Sequence, residues 1–174
     1  MAPTSYQPPT RGDAAPKKTF SQSASSALQA VQTPVSAVLA EKGGEIFTIG
    51  PDDTIHNAVN LLGEKRIGAL LVTDPAGELI GVLSERDIVR KMADIPGRTL
   101  QQLVSTLMTT NSFNCSPEDP IMDVLTGMTE NRCRHVPVLE NGKLLGIITI
   151  GDIVHFRLKE LEYESLKMKQ MIIG

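Results

Sequence analysis

The chain has 174 residues, a net charge of −3, and 41% hydrophobic residues against only 3% aromatic. That is enough apolar material for one ordinary domain or two small modules with a shared core, and the core must be aliphatic because Trp is absent. Mild acidity without an aromatic platform excludes a general nucleic-acid surface, and no apolar run is long enough to span a bilayer.

Residues 1–33 are rich in Ser, Ala, Pro and Thr and carry Arg11, Lys17 and Lys18 against one acid, Asp13. This composition is expected to form a flexible tail. Its balance is faintly like an organellar transit peptide, and it contains no h-region of a secretory signal. Cys115 and Cys133 are too far apart for a CxxC pair or a zinc site and sit in apolar patterns, so both are expected as buried free thiols. These features lead to the expectation of a cytoplasmic protein, with the mitochondrial matrix as the alternative.

Structure is expected to begin near Pro34, with a short helix marked by Val35, Val38 and Leu39 and ended by Gly43 and Gly44. An internal repeat follows. Phe47, Pro51, Asp53 and Ile55 recur as Phe113, Pro117, Asp119 and Ile121. Gly81, Ser84, Asp87 and Val89 recur as Gly146, Thr149, Asp152 and Val154, one residue out of step with the first group. The slip falls in a turn, where 74–77 faces the shorter 140–142, as a repeated fold permits.

Each copy reads as β-α-β-β-α. A short strand comes first (46–49 or 113–115), then an N-cap Asp53 or Asp119, with Pro120 at a first helical position. Ile55, Ala58, Val59 and Leu62, and again Ile121, Val124, Leu125 and Met128, have helical spacing. Two apolar strands follow in each copy, 69–72 with 79–83 and 136–139 with 144–148, joined at Ala76-Gly77 or Asn141-Gly142. A second helix opens at Ser84 or Thr149. Residues from Ile153 to about Ile172 read as one long helix whose seam of Val154, Leu158, Leu161 and Leu166 suits core packing or a dimer contact. The expected division is a tail (1–33), two modules (34–97 and 98–157) and a helical extension (158–174).

The chemistry lies in the repeated phrase: a glycine, two aliphatics, a hydroxyl and, three residues later, an aspartate. A strand delivers Ser84 or Thr149 to a helix N-terminus, where unpaired N–H groups and the positive dipole end suit phosphate. Asp87 or Asp152 lies one turn on, and a carboxylate can accept from both hydroxyls of a ribose. A single copy reads equally well as an N-cap with a dipole-favoured acid and no ligand. Two copies in the same context favour ligand binding. His135 and His155 lack a third partner at metal-ligand spacing, so no metal is expected.

The phrase, the element order and the pairing resemble a tandem cystathionine-β-synthase (CBS) domain pair, or Bateman module, over roughly residues 34–157. In detail the chain is similar to small stand-alone CBS-pair proteins of bacteria and mitochondria, through Glu41 to Gly44, Ile67 to Leu70, Ser84 to Arg90, Arg134 to Val138 and Ile150 to Ile153. The resemblance implies an α/β fold of two modules about a pseudo-twofold axis with two clefts for an adenosine ligand such as AMP, ATP, NAD(H) or S-adenosylmethionine. It implies ribose contacts from Asp87 and Asp152, phosphate contacts from Ser84 and Thr149, and backbone and apolar contacts to adenine from Ala69, Leu70 and Leu71 and from His135, Val136 and Pro137. It also implies a homodimer and a non-catalytic role regulating a partner protein.

Arg86 is suited to bidentate phosphate contact. Arg134 stands where the first copy has Gly68, so the fold does not demand it and a phosphate contact is expected. Arg132, repeated as Arg66, reads equally as a solvated helix end. The second copy has Ile150 and Gly151 where the first has Glu85 and Arg86, so its site is expected to take less phosphate or to rely on Arg134. Two other classes remain open: a nucleotide hydrolase, which lacks a nucleophile–base pair or P-loop, and a partner-binding scaffold with vestigial clefts.

Overall fold

A computed structural model describes residues 33–43 and 45–173. The expected tail lies outside the described residues except for Thr33, as does Gly44. In chain order the elements are α1 (Val35–Lys42), β1 (Thr48–Ile49), α2 (Ile55–Lys65), β2 (Ala69–Thr73), β3 (Leu79–Ser84), α3 (Glu85–Asp94), two 3₁₀ turns (Thr99–Gln101 and Val104–Thr106), α4 (Ile121–Glu130), β4 (His135–Glu140), β5 (Lys143–Thr149) and α5 (Ile150–Ile173). The expected α/β repeat is present, with the long C-terminal helix.

In the first copy β1 pairs parallel with β2, and β2 pairs antiparallel with β3. In the second, β4 and β5 form an antiparallel pair whose turn places Asn141 at φ 51° and Gly142 at φ 80°, the left-handed pair that a two-residue hairpin needs. The strand expected at 113–115 shrinks to one parallel bridge, Cys115 to Val138, held by Cys115 N–H donating to Pro137 O at 3.1 Å and Leu139 N–H to Cys115 O at 2.8 Å. The expected caps also shift. Thr54, not Asp53, caps α2 by accepting from Asn57 N–H, and Pro120 itself is the N-cap residue of α4. Asp53 and Asp119 sit one residue too early for that role. Their carboxylates instead accept from Gly50 N–H at 3.0 Å and Ser116 N–H at 2.8 Å, tightening the turn before each helix.

Each copy's core is completed by a segment that precedes the other copy. Val35 and Val38 of α1 are buried with Cys115, Ile121, Val124, Met128, Val136, Val138, Ile148 and Ile153 of the second copy. Val104 of the second 3₁₀ turn is buried with Ile49, Ile55, Leu62, Leu70, Leu83 and Ile88 of the first. Backbone bonds fix the exchange: Val35 N–H donates to Asp119 O and Ile121 N–H to Thr33 O, while Ile55 N–H donates to Gln102 O and Val104 N–H to Asp53 O. The two copies thus trade their leading segments. A third cluster, Ala69, Leu71 and Val82 with Leu144 and Ile147 against it, joins the two copies directly.

The glycine that opens each repeated phrase has a packing role. A Cβ at Gly81 would lie 2.9 Å from Met108 Sδ, and one at Gly146 would lie 3.2 Å from Leu39 Cδ2. Each glycine lets the exchanged segment cross its strand. Helix glycines make a sharper contrast. A Cβ at Gly127 in α4 would run into the Phe113 ring, whereas nothing lies within 4 Å of one at Gly63 in α2. Gly127→Ala is expected to destabilise the fold by roughly 1–3 kcal/mol, and Gly63→Ala to stabilise it by about 0.5–1 kcal/mol. Urea unfolding of both variants checks the opposite signs.

Candidate functional site

β3 runs into α3, and β5 into α5, with no residue between them. A helix that starts on a strand's last residue leaves its first N–H groups without intrahelical partners. Ser84 and Asp87 form a reciprocal capping box: Asp87 N–H donates to Ser84 Oγ at 3.3 Å, and Ser84 N–H and its hydroxyl donate to Asp87 Oδ2. The second copy repeats it, with Asp152 N–H donating to Thr149 Oγ1 at 3.1 Å and Thr149 N–H to Asp152 Oδ2 at 2.9 Å. The structural reading of the phrase is therefore realised in both copies. It uses one carboxylate oxygen, Oδ2, and leaves acceptor capacity on the other.

Two clefts adjoin these joints. The first, of about 380 Å³, takes Ser84, Arg86, Asp87 and Arg90 from the first copy and Phe113, Asn131, Arg132, Cys133, Arg134 and His135 from the second. The second cleft, of about 660 Å³, takes Thr149 and Ile147 from the second copy and Glu45, Phe47, Lys65, Arg66, Ala69 and Leu71 from the first, with Lys42 of α1. Both volumes suit a small ligand. Each cleft joins the hydroxyl of one copy to the pre-strand segment of the other, and this corrects one expectation. Arg134 lines the cleft of Ser84 and Asp87 and cannot replace the charge that the second copy's joint lacks. Arg66 stands in that place instead.

The other expected residues divide. Leu70, Val136 and Pro137 are buried, and Leu70 and Val136 belong to the two cores, so their side chains do not line either cleft. Gly151 is exposed at the start of α5, outside both linings. Asp152 is turned away from the second cleft into a hollow of about 300 Å³ against α1, where Lys42 Nζ lies 2.7 Å from its Oδ2 and also donates to Ile147 O at 3.1 Å. Arg90, Lys42 and Lys65 were not singled out from the sequence. Phe47 and Phe113, landmarks of the repeat in the sequence, each line a cleft. Their recurrence was the available signal.

Charge separates the clefts. Arg86, Arg90, Arg132 and Arg134 surround the first with Asp87 as the acid, whereas the second sets Lys42, Lys65 and Arg66 against Glu45 and Glu64. Arg66 and Arg132 also share a strained backbone, with φ of 54° and 52°. The left-handed region disfavours a residue with a Cβ and suits glycine at a helix end. An arginine kept there in both copies points to a use for its side chain.

His135 lines both clefts, and its ring lies 3.1 Å from where a Cβ on Gly68 would be. Burial holds its pKa below the ordinary value; Lys42 and Arg134 add to this, while Asp152 and Glu85 oppose it. Cys115 is buried, and burial with the nearby Asp119 carboxylate pushes its thiol up to about 12, which makes it inert. Cys133 is half-buried and its thiol is raised by burial. Among the described residues no group of His, Cys, Asp and Glu could hold a metal ion, and no helix is long and apolar enough to cross a membrane.

Known proteins share this architecture. The family described as the CBS domain matches residues 35–94 and 104–159. The mitochondrial CBS domain-containing protein CBSX3 of Arabidopsis thaliana is 31% identical, covering 82% of this chain and 73% of its own length. A CBS-domain-containing protein from Agrobacterium tumefaciens, solved by crystallography, is 43% identical with a TM-score of 0.70, covering 72% of this chain and 99% of its own. The CBS domain pair of protein MJ0100, solved in complex with 5′-methylthioadenosine and S-adenosyl-L-methionine, shares the fold at 23% identity and a TM-score of 0.67, covering 75% of this chain and 99% of its own.

Two outcomes test the site's physics. Arg132→Gly should leave stability unchanged or raise it by up to about 1 kcal/mol, because glycine relieves the left-handed strain at an entropic cost; a clear fall in the thermal midpoint would show Arg132 to be structural. A His with a lowered folded pKa contributes stability that is full above its ordinary value and is lost as pH falls toward the folded value. Urea midpoints of the native chain should therefore decline from about pH 7 to pH 5, and His135→Gln should flatten that slope. An unaltered slope contradicts the assignment.

Proposed function

The chain belongs to the CBS-domain family, and we propose that it is a non-catalytic sensor that binds adenosine nucleotides in two unlike clefts and regulates a partner protein. One observation carries this reading: a hydroxyl–carboxylate joint from one copy and a cluster of arginines from the other line a single cleft. Asp87 holds the ribose hydroxyls through its free carboxylate oxygen, and Ser84 and the first N–H groups of α3 meet a phosphate. Arg86, Arg90, Arg132 and Arg134 favour a ligand with more than one phosphate, such as ATP or NAD(H). The adenosyl ligands of the MJ0100 domain pair support the ligand class.

The second cleft takes a less charged adenosine ligand, such as AMP or S-adenosylmethionine. Its carboxylate, Asp152, engages both the cap and Lys42 through Oδ2 and faces the hollow against α1, so a ribose in the second cleft reaches it only after that carboxylate turns. The same ion pair gives a foothold to the alternative, a partner-binding scaffold with vestigial clefts, at this cleft alone. CBSX3 carries a mitochondrial location in its name; the mitochondrial matrix is the compartment to set against the cytoplasm.

Calorimetry of the dialysed protein with AMP, ATP, NAD, NADH and S-adenosylmethionine tests the reading. A charge-assisted hydrogen bond of roughly 1.5–3 kcal/mol corresponds to about a ten- to hundredfold loss of affinity on Asp87→Ala or Asp152→Ala, each at its own cleft. Arg134→Ala should weaken ATP more than AMP. No change of affinity in both aspartate variants would remove the site, and saturating nucleotides with no heat at all would favour the scaffold.

A further inference from the structure

α5 is 24 residues long, and only its start is built into the fold. Ile153 is fully buried, and Ile150 and Phe156 pack against the second copy's core. From Leu161 to Ile172 every residue is exposed. The family match ends at residue 159, so CBS architecture does not account for this stretch. A solvated helical segment of about a dozen residues is marginal by itself in water.

Its exposed side chains are ordered. Val154, Leu158, Leu161, Ser165, Met168 and Ile172 follow one another at spacings of four and three. That is the alternation of a heptad seam, with Leu158, Ser165 and Ile172 at a positions and Val154, Leu161 and Met168 at d positions. The five apolar members are 45–84% exposed, so the core-packing reading of this stripe fails and the face is open. The true seam passes through Ser165; Leu166 lies one step off it.

The flanking charges select the partner. Arg157 and Glu164 occupy g positions, and Glu162 and Lys169 occupy e positions. In a parallel two-stranded coil each g residue faces the e residue five further along the other helix. Arg157 then meets the partner's Glu162, and Glu164 meets the partner's Lys169, so both kinds of contact are attractive. The antiparallel register with the same overlap, pairing Leu161 with Ser165, sets Glu162 against Glu162 and Glu164 against Glu164, and is repelled. Arg157 already lies 2.5 Å from Glu160 within its own helix, and a guanidinium has donors left for a second carboxylate.

We propose that the exposed face of α5 pairs with α5 of a second copy of this chain in a parallel, in-register coiled coil. Ser165 meets its own counterpart across the axis. As the one polar residue in the seam, it holds the register at some cost in stability. The pairing is separate from any dimer made through the two modules and does not depend on nucleotide.

Cross-linking of the full-length chain tests this. In a Cys133→Ser background, Ser165→Cys places a thiol on the seam and Gln170→Cys places one on the outer face, and both positions are exposed. Under mild oxidation Ser165→Cys should give disulfide-linked dimer about tenfold faster than Gln170→Cys, because only seam positions bring the two Cα atoms within bridging range. Glu162→Lys should slow that linkage at low salt, and adding Arg157→Glu should restore it. Equal linkage at both positions, no linkage at Ser165→Cys, or indifference to the charge swap overturns the proposal.

Discussion

A strand that becomes a helix without an intervening loop leaves N–H groups that something must satisfy, and this constraint organises the molecule. It demands a hydroxyl at the joint and an acid three residues later, which are Ser84 with Asp87 and Thr149 with Asp152. The same bonds hold each carboxylate in a fixed rotamer with one oxygen engaged. A ligand's ribose would then meet an acceptor oriented beforehand, with no side-chain entropy left to lose. The cap does not exclude the proposed ligand site, because it engages Oδ2 and leaves the other carboxylate oxygen free to accept.

The exchange of leading segments turns two similar modules into one body. α1 completes the second core and the 3₁₀ turns complete the first, so neither copy can bury its apolar face alone. The exchange also sets the clefts. It carries Lys42 onto Asp152 in one half, while the matching segment in the other half, Met108 and Thr109, brings no cation to Asp87. Much of the asymmetry between the clefts therefore arises outside the repeat, in segments whose sequences do not match. His135 lies where the clefts meet, and a change of charge in either one alters its surroundings.

Local features were legible from the residues. Strand and helix periodicities, the Asn141-Gly142 turn and the repeat itself depend on neighbours close in sequence, and each appears in the fold. The caps of α2 and α4 fall one residue after the aspartates, at Thr54 and Pro120, because Asp53 and Asp119 are held by the turns that precede the helices. What could not be read was the assembly across copies. Whether Arg134 serves Asp87 or Asp152 depends on packing between segments more than forty residues apart, and nothing local encodes it. Likewise Leu70 and Val136 sit on continuously apolar strands, where no alternation marks which side chains face a cleft. The seam of α5 was visible as periodicity, but its exposure was not.

The central claim is that each cleft is made by both copies. Backbone amide shifts of isotopically labelled protein, followed by NMR during an ATP titration, test it most directly. The account predicts that the amides of Ser84 to Asp87 and those of Asn131 to Arg134 move together along one binding curve. Movement of Ser84 to Asp87 together with Lys65 to Ala69 of their own copy, while Asn131 to Arg134 stay still, would contradict it.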